Sequence, residues 1–139
     1  MKFLLIGRGK MGKLIESTAC AAGDEVVLSL GHDDLDRLGS MGKVADVVID
    51  FSRPEALAEV ASYVRRTGTP LLSGTTGYTA GQLEQLRTDY IDYGFIHCLD
   101  EASDWEQYRR NGVLDYLLKQ KEAGVVRHIG LSSHTPELV

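Results

Sequence analysis

Three glycines near the amino terminus have the spacing of a pyrophosphate-binding loop. Gly7, Gly9 and Gly12 form a G-x-G-x-x-G pattern between a short apolar run and a segment of helical periodicity. The first glycine allows a tight turn, the second lets a phosphate approach the backbone, and the third lets helix and strand pack closely. The helix start, which includes Lys10 and Met11, offers free N–H groups and a positive dipole end. The pattern therefore predicts a dinucleotide site.

Asp33 is the candidate for binding the adenosine ribose. It follows the second predicted strand, about 20 residues beyond the glycines, where an acidic side chain commonly binds the ribose hydroxyls. An aspartate there favours NAD over NADP, but a helix-capping aspartate explains the residue equally well, so both cofactors stay open. The competing interpretation of the glycines is a simple connecting turn, and that of Lys10 is a solvated surface cation.

Short apolar runs alternate with amphipathic segments along the chain. Strands are predicted at 2–6, 26–30, 46–50, 71–73, 94–99 and 126–132, and helices at 10–22, from 54, at 79–90, and at 105–123 with an interruption near 111–112. Strands that are apolar on both faces and alternate with helices indicate a parallel sheet covered on both sides. We therefore predict an α/β fold, a doubly wound, Rossmann-like parallel sheet of about six strands, as a single domain over 1–139.

The composition is that of an average small globular protein. Of 139 residues, 43% are hydrophobic and 25% charged, and the net charge of −5 argues against nucleic acid or an anionic membrane as a partner. The apolar run at 3–6 is far shorter than the roughly 20 residues of a membrane helix. Cys20 and Cys98 have no metal or redox spacing, so we expect reduced thiols, no metal site and a cytoplasmic location.

Two further stretches carry a family resemblance. The segment 46–56, DVVIDFSRPEA, and the loop 74–78, GTTGY, together with the glycine pattern, resemble the dihydrodipicolinate reductases of bacterial lysine synthesis over about residues 1–87. The resemblance implies that Phe51 and Ser52 lie beside the cofactor, and that three loop residues reach the nicotinamide end. These three are Gly74, Thr75 and Thr76. The substrate domain of that family, with its paired histidines and catalytic lysine, has no counterpart in this sequence.

The second half resembles a different family. Segments 88–98, 112–119 and 121–134 are similar, in this order, to the middle of an aldo-keto reductase, a barrel of eight strand–helix units. The resemblance places His97 where that family has the histidine that polarises the substrate carbonyl. The tyrosine, lysine and aspartate that complete the chemistry have no counterparts. We therefore predict no complete catalytic set, with His97 as the residual candidate and an ordinary strand-end histidine as the competing interpretation.

Fragments of two unrelated reductases in one chain predict an engineered fold chimera, about 1–87 and 88–139. The leading hypothesis is a protein with no complete active site that retains NAD(P)(H) binding at its glycine loop. The alternatives are a weak NAD(P)-dependent oxidoreductase and an FMN-binding, flavodoxin-like module, which the glycine pattern disfavours. The pattern at 133–137 is typical of a helix start. We expect that the helix is truncated after its first turn, that this exposes sheet surface near 126–131, and that the exposed surface or the truncated helix favours a homodimer.

Overall fold

The structure of the protein, a computed structural model, describes residues 1–86, 90–96, 99–133 and 135. The chain divides into two compact units, Met1–Arg87 and Thr88–Val139. A single domain over the whole chain stays a prediction from the sequence. Several sequence predictions fall outside the described residues, among them those for His97, Cys98 and most of the helix start at 133–137.

The first unit is a parallel sheet with helices between its strands. In chain order its elements are β1 (Lys2–Ile6), α1 (Lys10–Ala21), β2 (Glu25–Leu30), a 3₁₀ helix (His32–Gly39), β3 (Val47–Asp50), a 3₁₀ turn (Pro54–Ala56), α2 (Leu57–Thr67), β4 (Leu71–Ser73) and α3 (Ala80–Glu84). The strand β1, one of the two inner strands of the sheet, has Leu4, Leu5 and Ile6 buried in succession, so both of its faces are covered. This burial is typical of a central parallel strand.

The order of the strands in this sheet reverses beside β1. The order is β2-β1-β3-β4, and every neighbouring pair is parallel. The chain passes from β1 to β2 on one side and then returns past β1 to β3 on the other. Ligands of open parallel sheets bind beyond the carboxyl ends of the strands at such a reversal. The register pairs Ile6 with both Leu30 and Asp50, and Asp50 with Ser73, so the four strands end in one row.

The hydrophobic core of this unit lies mainly between one face of the sheet and α2. Leu57, Val60 and Ala61, spaced three and four apart, form the buried face of α2. Gly68 ends the helix in the left-handed conformation, with φ 64°. Val60 packs in one cluster of buried residues with side chains from the strands and the 3₁₀ helix: Leu4, Ile6, Leu30, Leu35, Leu38, Ala45, Val48, Ala56 and Tyr63.

The described residues of the second unit form a two-stranded parallel sheet and two helices. Its elements are β5 (Ile91–Ile96), α4 (Ala102–Arg110), α5 (Val113–Glu122) and β6 (Val126–Leu131). The ladder runs from Ile91 opposite Val126 to Ile96 opposite Leu131. Gly112, with φ 72°, separates the two helices, and it is the interruption that the sequence predicts.

The α/β class and the six predicted strands are confirmed, but the strands lie in two sheets, of four and of two. The sequence predicts one sheet. Apolar patterning identifies strands without specifying their partners, and β5 and β6, which a pair of helices connects, pair with each other. No helix in the described part of the chain is long and apolar enough to cross a membrane.

Among the element boundaries that differ from those predicted are the end of α3 and the starts of β5 and α4. The helix α3 ends at Glu84 rather than near residue 90. None of its residues is buried, so no tertiary packing stabilises a longer helix. The strand β5 begins at Ile91 rather than 94, because the Ile91 N–H donates to the Val125 carbonyl at 2.8 Å. The helix α4 begins at 102 rather than 105, because Asp104 accepts the Glu101 N–H at 2.8 Å and so caps the earlier start.

Candidate functional site

The glycine loop joins β1 to α1 at the point where the strand order reverses. Gly7 has φ 105°, and a Cβ at this position would overlap the carbonyl oxygen of Phe51. Gly12 approaches Gly7 so closely that its Cβ would overlap the Gly7 carbonyl oxygen. A Cβ on Gly9, by contrast, would meet no heavy atom within 4 Å. The fold therefore requires two of the glycines, and the middle one leaves open space beside the backbone.

The helix α1 begins directly after this open position. Gly9 is its N-cap, no side chain caps the helix, and its first turn contains no acidic residue. The first N–H groups of a helix have no intrahelical partners and lie at the positive end of its dipole. Lys10 and Met11 are exposed in this turn, so a cation is available beside it. The turn is therefore suited to bind an anionic group such as a diphosphate.

Arg8 ties the glycine loop to the end of β2. Its guanidinium donates to the Ser29 carbonyl at 3.0 Å and to the Asp34 carboxylate at 2.9 Å. Asp34 also accepts the Gly31 N–H at 3.3 Å and is therefore engaged in holding the local structure. Asp33, the residue predicted to bind ribose, is exposed in the first turn of the 3₁₀ helix after β2. It lies beyond the β2 side of the sheet, away from β3.

A buried carboxylate lies at the end of β3. Asp50 is completely buried, and its Oδ1 accepts the N–H of Ser52 at 3.0 Å and the hydroxyl of Ser52 at 2.5 Å. Its Oδ2 accepts the hydroxyl of Tyr78 at 3.3 Å and has a longer contact of 3.5 Å with that of Ser73. The Ser52 N–H also donates to Thr75 Oγ1 at 3.1 Å. These bonds join the turn after β3 to the loop after β4.

The same two segments also contact each other at Gly74. A Cβ on Gly74 would overlap the ring of Phe51, so only glycine allows the ring to pack on the loop. The backbone hydrogen bonds of the sheet continue at this edge. The Phe51 N–H donates to the backbone carbonyl of Ile6 at 2.9 Å, and the Gly74 N–H donates to the backbone carbonyl of Asp50 at 2.8 Å. Thr76, two residues further, is exposed.

Tyr78 remains a neutral hydroxyl in this network. Burial disfavours the phenolate and raises the pKa of Tyr78 above its ordinary value of 10.0. Hydrogen bonds with Ser73 and Thr75 oppose this shift, and the nearby carboxylate of Asp50 adds to it. At neutral pH the phenol therefore keeps its proton and can donate it to a hydrogen bond.

The structure brings most of the predicted site residues to one edge of the first sheet. They follow β1, β3 and β4: Gly7, Gly9, Lys10, Met11, Gly12, Phe51, Ser52, Gly74, Thr75 and Thr76. Asp33 follows β2 at the same edge, and His97 lies outside the described residues. The described residues contain no group of three or more His, Cys, Asp or Glu side chains that could hold a metal ion.

Sequence reasoning missed the network around Asp50. Neither this aspartate nor Ser73 and Tyr78 is among the predicted site residues, although both loops are. A signal was available, because Asp50 is a charged residue at the end of an otherwise apolar strand, VVID. A charge in that position needs partners. Ser52 is only two residues away, but the other two partners, Ser73 and Tyr78, are 23 and 28 residues away in the chain.

An aromatic cluster is exposed in the second unit. The Tyr93 ring stacks against Phe95 and His128, with ring centroids 6.5 and 4.8 Å away. The Phe95 ring also covers Gly130, where a Cβ would overlap it. Tyr93 is 64% exposed and Phe95 62%. Val126 is buried, so the exposed apolar surface that the sequence predicts on the last strand lies mainly on the neighbouring β5.

Comparisons with known proteins match the two parts of the chain to different families. The family described as dihydrodipicolinate reductase, N-terminus, matches residues 1–98, and the aldo/keto reductase family matches residues 80–139. The two matches on one chain are consistent with a chimera of two fragments.

Several similar proteins are named 4-hydroxy-tetrahydrodipicolinate reductase. That of an Exiguobacterium species is 36% identical over 91 residues, which cover 63% of this chain and 36% of that protein. That of Campylobacter jejuni is 32% identical over 98 residues, 70% of this chain and 34% of that protein. That of Rickettsia akari is 41% identical over 71 residues, 50% of this chain and 29% of that protein. The chain therefore spans about a third of the length of the curated relatives it matches.

The glycine loop generates a prediction about stability. Gly12→Ala is expected to lower the free energy of unfolding by about 1–3 kcal/mol, because its Cβ would force α1 away from the Gly7 carbonyl. Gly9→Ala is the matched control. Its methyl group enters open space, so this substitution should lower the free energy of unfolding by less than about 1 kcal/mol, which is the difference between glycine and alanine at an N-cap. Urea unfolding measures both, and equal losses would contradict the steric role of Gly12.

Proposed function

Over residues 1–98 the chain belongs to the dihydrodipicolinate reductase N-terminus family, and we propose that its first unit binds a nicotinamide dinucleotide. The observation that carries the proposal is the open space at Gly9, at the start of a helix that no side chain caps. This space lies at the reversal of strand order, where dinucleotides bind with their pyrophosphate at a helix start.

The strand order supports one direction for the bound dinucleotide. The pyrophosphate would lie over Gly9, within reach of the N–H groups of residues 10–12. The adenosine half would extend toward Asp33, beyond β2, where an acidic side chain can accept ribose hydroxyls. The nicotinamide half would then cross to the other side of the reversal. There it would lie against residues 51–52 after β3 and 74–76 after β4.

The charges around the ribose position favour NADH over NADPH in this proposal. Asp33 is exposed, and its carboxylate can accept ribose hydroxyls but would repel a 2′-phosphate. Arg8 is the nearby cation, but its guanidinium already binds Asp34 and the Ser29 carbonyl. A 2′-phosphate would therefore have to compete for Arg8 with partners that are already in place.

We further propose that the whole chain is an engineered fusion of two reductase fragments without a complete active site. The two family matches meet inside the chain, over residues 80–98. Positioned proton transfer contributes about 100- to 10,000-fold to catalysis, and His97 is the only candidate from the second fragment. The alternative is a weak reductase using the same groove, which would show as NADH oxidation dependent on 4-hydroxy-tetrahydrodipicolinate.

Calorimetric titration with NADH and NADPH tests the dinucleotide site. We expect saturable binding of NADH, and weaker binding of NADPH. Gly9→Asp should weaken NADH binding by at least about tenfold, because the new carboxylate occupies the open space and repels the pyrophosphate. Gly42→Asp is the matched control, since its side chain also enters open space, but in a loop before β3.

The control and the wild type should bind NADH equally. Absence of binding heat with either cofactor, in a protein that unfolds cooperatively, would contradict the proposed function. Equal binding by Gly9→Asp would contradict the position of the pyrophosphate.

We propose in addition that the second unit associates with another copy through its aromatic cluster, Tyr93, Phe95 and His128. Exposed apolar patches commonly mark protein interfaces. Rigid aromatic side chains contribute more binding energy there than most other residues. A homodimer would bury the same cluster from both copies, as a two-fold interface requires.

Sedimentation velocity over a range of concentrations tests self-association. Tyr93→Ser is expected to raise the dimer dissociation constant by at least about tenfold, because it removes the ring that contacts both other members of the cluster. Tyr116→Ser is the matched control, since Tyr116 is 63% exposed on α5. A wild-type protein that remains monomeric at the highest concentration would contradict the proposal, as would equal effects of the two substitutions.

A further inference from the structure

The carboxylate of Asp50 is buried among neutral partners. The side chain is completely buried, and the groups that contact its oxygens are the Ser52 N–H and the hydroxyls of Ser52, Ser73 and Tyr78. Burial of a charge is unfavourable, and well-packed apolar residues often serve stability as well as a buried charge does. Stability of the sheet alone therefore does not account for an aspartate at this position.

The two oxygens of this carboxylate contact different segments. Oδ1 accepts both bonds from Ser52, in the turn after β3, and Oδ2 faces the hydroxyls of Ser73 and Tyr78, at the start and end of the loop after β4. One rigid carboxylate thus sets the position of one segment relative to the other. The bond from Ser52 N–H to Thr75 Oγ1 depends on that spacing.

The pairing of β3 with β4 has its own backbone hydrogen bonds. Val48 N–H donates to the Pro70 carbonyl at 2.9 Å, and Gly74 N–H donates to the Asp50 carbonyl at 2.8 Å. These bonds do not involve the side chain of Asp50. What the carboxylate adds is therefore the arrangement of the two segments beyond the strand ends.

We infer that Asp50 is a positioning residue for the nicotinamide half of a bound dinucleotide, and this inference rests on the proposed function. The adenosine half is assigned to the β2 side of the reversal, so the other half must lie over the segments after β3 and β4. Asp50 joins these two segments through both of its oxygens. It holds Ser52 and Thr75 in place without contacting the ligand itself.

The chemistry of the partners predicts a difference between two substitutions. Asp50→Asn keeps an oxygen for the Ser52 N–H, and its amide group can donate to the hydroxyls of Ser73 and Tyr78, which can accept as well as donate. Asp50→Ala removes every one of these bonds. The asparagine variant should therefore retain the arrangement that the alanine variant loses.

The test compares the dissociation constants of NADH and ADP-ribose, which lacks the nicotinamide, by calorimetry. Asp50→Ala is expected to weaken NADH binding by about tenfold, roughly the effect of losing one hydrogen bond to a charged group, and ADP-ribose binding by less than about twofold. Asp50→Asn should restore NADH binding to within about threefold of wild type. Asp46→Ala is the matched control, since this exposed carboxylate lies just before β3 and should affect neither ligand.

The outcomes separate this inference from the proposed function. NADH binding by the wild type with an unchanged affinity in Asp50→Ala overturns the inference alone, and so does an equal loss for both ligands. Absence of wild-type binding to both ligands overturns the proposed function and the inference with it. If Asp50→Ala does not fold, the double variant Ser73→Ala/Tyr78→Phe replaces it. This variant removes the two hydroxyls that contact Oδ2 and leaves both bonds of Ser52 to Oδ1. An unchanged ratio of the two dissociation constants overturns the inference.

Discussion

The close packing of α1 against the end of β1 is the constraint on which the first unit depends. Gly12 lies against the carbonyl group of Gly7, and no side chain fits between them. The helix begins directly after β1, beside which the strand order reverses, so its first turn lies at this reversal. The open space at Gly9 follows from this arrangement, since the chain turns there without a side chain. The candidate anion site is thus a consequence of how one helix packs on one strand.

The parallel register gives this turn its neighbours. Leu30, Ile6, Asp50 and Ser73 end their strands in one row, so the segments that follow them leave the same edge of the sheet. A row of strand ends does not by itself fix the loops beyond it. The carboxylate of Asp50 does so for two of them, by accepting hydrogen bonds from both. Sheet and buried charge therefore have separate roles, one in bringing the loops together and one in setting their spacing.

The sequence predicts the parts of this arrangement that depend on neighbours in the chain. The glycine loop is recognisable because its three glycines serve one local turn, and β1 and β4 have the predicted bounds because their apolar runs are short and sharply ended. Pairing between distant residues escapes such reasoning. The division of the strands into two sheets and the early start of β5 both depend on which strand pairs with which. The hydrogen bonds of Asp50 to the loop after β4 escape it for the same reason, since they span 23 and 28 residues.

The claim that the reversal beside β1 binds a dinucleotide is tested most directly by a two-dimensional ¹⁵N–¹H NMR titration with NADH. We expect saturable shifts that begin at the amides of residues 9–12, extend to 51–52 and 74–76, and include Asp33 on the opposite side. Such a pattern would place the ligand across the strand ends of the first sheet. Shifts confined to residues outside Met1–Arg87, or no saturable shifts in a protein with a dispersed native spectrum, would contradict that claim.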